Sequence, residues 1–216
     1  MKRFTFQIDA YQAQWMLSPI RSKKDVIYLL MQSIKIMLLP KVTTPGAVGE
    51  MTLQVEKMNR LIFAFEKKIF SINFPFTAIE DNNTLTFRSN HHPNIDSKVA
   101  SEVLSVITKS EKFENKEILH FADPISDYCQ FDDDFWSLFR ELLMFEDGYI
   151  RYDHDEGRSN GHIHPLHHFD VFYSSGSTFK LGSADGVSKE QFVDVLNLNT
   201  NGSSSFRVEF DSENPS

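Results

Sequence analysis

Four of the eight histidines in this chain lie within seven residues: His162, His164, His167 and His168. Imidazole is the commonest side-chain metal ligand, and it gains or loses a proton near neutral pH. A cluster of this density predicts either a metal site or a site of proton transfer.

Spacing indicates which of these side chains share a face. In an extended segment, residues two positions apart point the same way and lie about 7 Å apart. Two such pairs are present, His162 with His164 and His168 with Asp170. Pro165 interrupts the strand register between the pairs, so spacing leaves open whether their side chains converge on one site. The candidate metal ligands are His162, His164, His168 and Asp170.

Two aspartates on the preceding predicted strand, Asp153 and Asp155, are candidates to complete the shell or to act in catalysis. A mixed set of imidazole and carboxylate ligands suits a divalent metal such as zinc or manganese. The alternative is that the histidines are structural, bonding backbone carbonyls and stacking on aromatic rings.

Known site patterns match the block only in part. The His-x-His-x-x-His spacing resembles the metallo-β-lactamase motif, but Leu166 stands where that family has an aspartate, and no histidine follows His168. The cupin pattern is partly echoed, from Gly157 through Asp170 to Gly176, yet its second half, with another histidine, is missing.

Restriction-like nucleases offer a further comparison, because they place an aspartate on one strand of a hairpin and Glu-x-Lys on the next. Asp170 and Lys180 are similar to that arrangement, with Glu141 on a preceding helix. Thr178 occupies the position of the second acid, which removes one charge. The resemblance implies that Lys180 would steady a phosphate.

The C-terminal third also resembles the signature of a bacterial domain-of-unknown-function family. The matching segments are 151–155, 164–168 and 178–182. The resemblance implies a bacterial cytoplasmic protein encoded with mobile-element or phage-defence genes, where partner proteins and nucleases are both common. The resemblance does not imply any particular activity.

Composition narrows the class of protein. With 216 residues, 41% apolar residues and 20 phenylalanines, the chain can bury a large aromatic core. A net charge of −8 disfavours nucleic-acid binding by counterion release, unless a partner or a metal site supplies the contact. Cys129 is the single cysteine, which excludes an internal disulfide and favours the cytoplasm. No apolar run is long enough to span a membrane.

Hydrophobic periodicity predicts an α+β fold, with helices packed on an antiparallel sheet and a C-terminal three-stranded meander. Helices are expected at 25–39, 95–109, 132–145 and 188–197, the first and last opened by capping boxes. Strands are expected at 3–8, 149–155, 167–173 and 178–182. The first part of 51–79 could be helical, whereas 68–74 reads as a strand that pairs with 84–88.

These elements predict one domain over 1–198, in which a scaffold of 1–148 supports a histidine-rich meander of 149–198. The polar segment 199–216 is expected to end in a disordered tail.

Two functional hypotheses follow. In the first, the chain is a non-catalytic interaction component that binds a partner protein, and its histidines are structural. In the second, it is a metal-dependent phosphodiesterase or nuclease that uses the His/Asp cluster. The sequence favours the first, because no tested family supplies a complete ligand pattern.

Overall fold

The computed structural model describes residues 2–40, 44–57, 59–82, 84–109, 133–160, 163–174 and 177–197. Nine strands lie in this part of the chain: β1 (Lys2–Ile8), β2 (Gly49–Val55), β3 (Arg60–Phe65), β4 (Lys68–Asn73), β5 (Thr77–Asp81), β6 (Thr84–Arg88), β7 (Ile150–His154), β8 (His167–Ser174) and β9 (Ser177–Gly182). Seven of them form one antiparallel sheet in the order β1-β2-β3-β4-β7-β8-β9, and β5 and β6 form a separate hairpin.

Five helices accompany the strands in the described residues: α1 (Ala10–Met16), α2 (Lys23–Met37), α3 (Ser97–Lys109), α4 (Asp133–Met144) and α5 (Lys189–Val195). The predicted capping boxes are present, since Ser22 and Asp25 open α2, and Ser188 and Gln191 open α5. In each, the serine hydroxyl accepts from the third backbone N–H of the helix, and the side chain at that position accepts from the serine N–H. None of these helices is long and apolar enough to cross a membrane.

Strand alternation gives the large sheet two faces with separate cores. The front face carries Phe6, Leu53, Phe63 and Phe70, which pack in one cluster with buried residues of α1 to α4. The back face carries a smaller cluster that α5 covers with Phe192 and Val193. Polar side chains of β7, β8 and β9 on the front face line a cleft.

The predicted fold class and the C-terminal meander are confirmed: β7, β8 and β9 pair in succession. Two local predictions are wrong. Residues 51–55 and 60–65 are strands rather than a helix, because β2 and β3 are central and are buried on both faces, which hides their alternation.

The second error concerns β6, which pairs with β5 and not with 68–74. Asn82 adopts φ 48° in the tight turn between β5 and β6, so these two strands become immediate neighbours. Both edges of β4 are already occupied, by β3 and β7. The C-terminal segment 199–216 lies outside the described residues.

Candidate functional site

Two adjacent rows of polar side chains cross the front face of the sheet. The first row consists of cross-strand neighbours Lys68, Asp153 and His168, from β4, β7 and β8. The second consists of Arg151, Asp170 and Lys180, from β7, β8 and β9. The rows lie two residues apart along the strands, so alternation directs all six side chains to one face.

Three of these residues form a candidate metal centre. One ligand atom each from Asp153, His168 and Asp170 lies within 4.8 Å of the other two. His168 Nε2 is 3.8 Å from Asp153 Oδ2 and 3.9 Å from Asp170 Oδ2. Two atoms bonded to one zinc ion at about 2.1 Å cannot be more than about 4.2 Å apart, and both distances meet that limit.

The orientation of the His168 ring fits a ligand. Its Nδ1 lies 2.9 Å from the carbonyl oxygen of Pro165. A carbonyl only accepts, so Nδ1 carries a proton in this contact, and Nε2 is the ring nitrogen that faces the two carboxylates. Metal-binding histidines are commonly fixed by such a bond from the other ring nitrogen to a backbone carbonyl. The side chain is 1% exposed, so the ring is held in place.

Cations surround the two carboxylates. Arg151 contacts Oδ2 of both Asp153 and Asp170, Lys180 Nζ lies 2.8 Å from Asp170 Oδ1, and Lys68 Nζ lies 4.0 Å from Asp153 Oδ1. These contacts compensate charges that would otherwise be costly to bury. A metal ion at the triad would therefore compete with the guanidinium of Arg151.

The same cations set the titration of Asp170. Desolvation acts to raise the pKa of this carboxyl, but the hydrogen bond from Lys180 and the charges of Arg151 and Lys180 outweigh it. The pKa of Asp170 therefore lies below its ordinary value, and the carboxylate is ionised at neutral pH.

His164 and Asp155 form a second pair beside the triad. His164 Nε2 lies 3.2 Å from Asp155 Oδ2, and the His164 ring meets the His168 ring edge to face at 4.6 Å. Burial acts to raise the pKa of Asp155, but hydrogen bonds from His164 and from the Arg158 backbone outweigh it, so the pKa lies below its ordinary value. An ionised aspartate only accepts, so His164 donates from Nε2.

Backbone bonds in the loop between β7 and β8 hold this pair in position. Asp155 N–H donates to Leu166 O at 2.9 Å, which closes the base of the loop. Asn160 and His164 form an isolated antiparallel bridge near its tip. The loop thus folds back over the sheet and brings His164 onto His168.

His167 faces the other side of the sheet, as alternation requires. Its Nδ1 lies 2.7 Å from the hydroxyl of Tyr152, and its ring stacks on that of His154 at 4.6 Å. Desolvation and the nearby His154 lower the pKa of His167. This histidine belongs to the back-face packing and does not join the triad.

Two residues of the triad, Asp153 and His168, line a cleft of about 850 Å³ between the sheet and the segment that joins α1 to α2. Three acidic residues and six basic residues line this cleft. The basic residues are Arg21, Lys67, Lys68, Arg151, Arg158 and Lys180. The chain as a whole has a net charge of −8, so positive charge is concentrated at this cleft.

The structure brings together most of the residues that the sequence singled out. The structure places Asp153, His168 and Asp170 within metal-ligand spacing of one another. Lys180 contacts Asp170, and the pair of Asp155 and His164 lies beside the triad. His162 lies outside the described residues.

Sequence reasoning missed two cations of the site. Arg151 stands two residues before Asp153, so the period of a strand was a signal for it. Lys68 had no such signal, because only the pairing of β4 with β7 places it beside Asp153.

Comparisons with known proteins give no relative: no family profile, curated protein or solved structure matches the chain. The chemistry of the site therefore rests on its own side chains.

Proposed function

We propose that this protein is a metal-dependent phosphodiesterase or nuclease, with Asp153, His168 and Asp170 as metal ligands. The observation that carries the proposal is the orientation of His168, whose Nε2 faces two carboxylate oxygens at 3.8 and 3.9 Å. Three electron-pair donors that converge in this way create a site for a cation. A divalent metal such as zinc or manganese, when bound, would polarise a phosphodiester and acidify a water.

The surrounding residues fit hydrolysis of a phosphodiester. Water would attack phosphorus, the bond from phosphorus to the leaving oxygen would break, and that oxygen would take a proton from solvent. His164, oriented by Asp155, would accept a proton from the attacking water through Nδ1. Lys180, which is 40% exposed, would contact a phosphoryl oxygen from the edge of the sheet.

Metal content and hydrolysis of bis(p-nitrophenyl) phosphate test the proposal. We expect the purified chain to bind zinc or manganese at about one ion per chain and to hydrolyse this ester. His168→Gln should lose metal affinity and activity by at least about tenfold, because a ligand is removed.

His167→Gln is the matched control, since it changes the adjacent residue on the opposite face. It should leave metal content unchanged. Failure of the wild-type chain to bind either metal, or equal losses in the two variants, would contradict the proposal.

A second candidate function, binding of a partner protein, is favoured by the edge strand β9. Phe179 and Leu181 are 48% and 42% exposed on the back face of this strand, and Leu166 is 39% exposed in the loop between β7 and β8. An exposed strand edge with apolar side chains is a surface to which a partner can add a strand. The bacterial, defence-associated setting implied by resemblance stays a prediction.

Affinity capture from a bacterial lysate tests this second function. A protein bound by the wild-type chain should be lost with Phe179→Ser and retained with Tyr11→Ser, which changes an exposed aromatic residue on α1. Capture of the same proteins by both variants would exclude β9 as the binding surface.

A further inference from the structure

A second cleft adjoins the one that contains the triad. It has a volume of about 740 Å³ and lies near the junction of α4 and β7, at the start of α2. Ile20, Arg21 and Phe172 line both clefts, so the two clefts share a wall. Each volume falls within the range of roughly 300–1,000 Å³ that is typical of small-ligand sites.

The two clefts differ in chemistry. The first is lined by Asp153 and His168 of the triad and by most of the cations. The second is lined by apolar residues such as Ile20, Val26 and Val171, and by Ser22 and Thr178. Two acids, Glu146 and Asp147, also line it, beside Lys23. A wall of this mixed kind suits a nucleoside better than a phosphate, since a base and a sugar offer both apolar surface and hydrogen-bonding groups.

Arg21 stands at the junction of the clefts without a partner of its own. Its side chain is exposed, and within the described residues its guanidinium forms no hydrogen bond or ion pair. Its backbone N–H donates to Asp25 Oδ2 at 2.8 Å, which fixes the position of the residue at the start of α2. A guanidinium that is fixed at its base and free at its tip is suited to bind phosphate.

Charge limits the length of the ligand. A chain that binds a long nucleic acid presents basic residues along an extended surface, because each phosphate contact releases a counterion. Here the cations line a bounded cleft, while the chain as a whole is acidic. A short ligand gains the attraction of the cleft and avoids the repulsion of the remaining surface.

We propose that the substrate is a dinucleotide-sized phosphodiester that lies across both clefts, with its scissile phosphate at the triad. A nucleoside occupies the second cleft, and Arg21 contacts a second phosphate at the junction. This inference rests on the proposed phosphodiesterase function and specifies its substrate class.

Calorimetric titration with 5′-phosphorylated diadenylate tests the inference, with EDTA present and, separately, with Ca²⁺. We expect diadenylate to bind at least about tenfold more tightly than adenosine monophosphate, because only the longer ligand reaches both clefts. A single strand of twenty adenylates should gain no more than about threefold over diadenylate, since the surface beyond the clefts is acidic.

Arg21→Ala should weaken diadenylate binding about tenfold and monophosphate binding much less. Arg88→Ala is the matched control, as it removes an exposed arginine on β6 that lines neither cleft. Thermal unfolding of both variants should match that of the wild-type chain. Equal binding of mono- and dinucleotide, equal effects of the two variants, or much tighter binding of the long strand would overturn the inference.

The outcomes separate the two proposals. Arg21-dependent binding of diadenylate without hydrolysis under any metal would refute the phosphodiesterase and leave the dinucleotide site standing. Hydrolysis of bis(p-nitrophenyl) phosphate by a chain that shows no preference for diadenylate would refute the dinucleotide site alone.

Discussion

Adjacent histidines take different environments because β8 alternates. His168 points to the front face and joins two carboxylates, whereas His167 points to the back face and bonds Tyr152. Within one strand, a shift of one position therefore separates a candidate ligand from a packing residue. The density of histidines in the sequence identified the region of the candidate site, and the alternation of β8 decided which histidine faces the carboxylates.

Asp170 gives a prediction at the scale of single residues. Lys180→Met should lower the free energy of unfolding by about 1 kcal/mol at pH 7, because the partly exposed ion pair is lost while Arg151 remains. The pKa of Asp170 is below its unfolded value of about 3.9. Its stabilising contribution is thus fully present above about pH 4 and is lost as the pH falls through the folded-state pKa.

Urea unfolding of both chains at several pH values measures this effect. The stability difference between wild type and variant should be constant at neutral pH and should shrink in acid. Lys98→Met, which removes an exposed helical pair with Glu102, should change stability by less than about 0.5 kcal/mol. A difference that grows on acidification would contradict the assignment.

At the scale of elements, the turn between α4 and β7 sets where the meander begins. Gly148 has φ 54°, and a Cβ atom there would lie 2.5 Å from Asn73 Oδ1. Asn73 Oδ1 also accepts from Arg60 Nη1 at 2.8 Å, and burial lowers the pKa of Arg60 to about 10. The side chain of Asn73 on β4 therefore contacts both the turn at Gly148 and Arg60 on β3.

Gly148→Ala should destabilise the chain by about 2 kcal/mol, since it combines a left-handed backbone with displacement of Asn73. Gly157→Ala is the control, because its added Cβ would meet only Asp155 Oδ1 at 3.8 Å. Its effect should stay within about 0.5 kcal/mol. Denaturant unfolding compares the two, and equal stabilities would show that the turn tolerates a side chain.

Some elements were evident from sequence, and others were not. The capping boxes of α2 and α5 correctly predicted where both helices begin, and the alternation of polar and apolar residues correctly predicted β7, β8 and β9. The short helix α1 was missed, although Asp9 and Gln12 form a capping box of the same kind. Its seven residues give too short a window for a periodic pattern.

At the scale of the whole molecule, metal binding should be coupled to unfolding. A ligand that binds only the folded chain stabilises it by about 2.7 kcal/mol at one hundred times its dissociation constant. For a chain of this size, we expect Mn²⁺ or Zn²⁺ to raise the melting temperature by about 5–10 °C.

EDTA should reverse this rise, and His168→Gln should abolish it while His167→Gln keeps it. Scanning calorimetry provides the measurement. A wild-type melting temperature that does not respond to either metal would mean that the cations around Asp153 and Asp170 already satisfy the site.

The sequence by itself determined the α+β class, the meander and the identity of most candidate side chains, because periodicity and residue chemistry are local properties. Only the tertiary structure decided that β4 lies beside β7, which adds Lys68 to the site, and that the loop before β8 folds back to place His164 on His168. It also decided that the α1–α2 segment faces the meander and carries Arg21 to the junction of two clefts. Lys68 and Arg21 are distant in sequence from the meander, and His164 reaches His168 only through the path of a loop, so no local pattern predicts these positions.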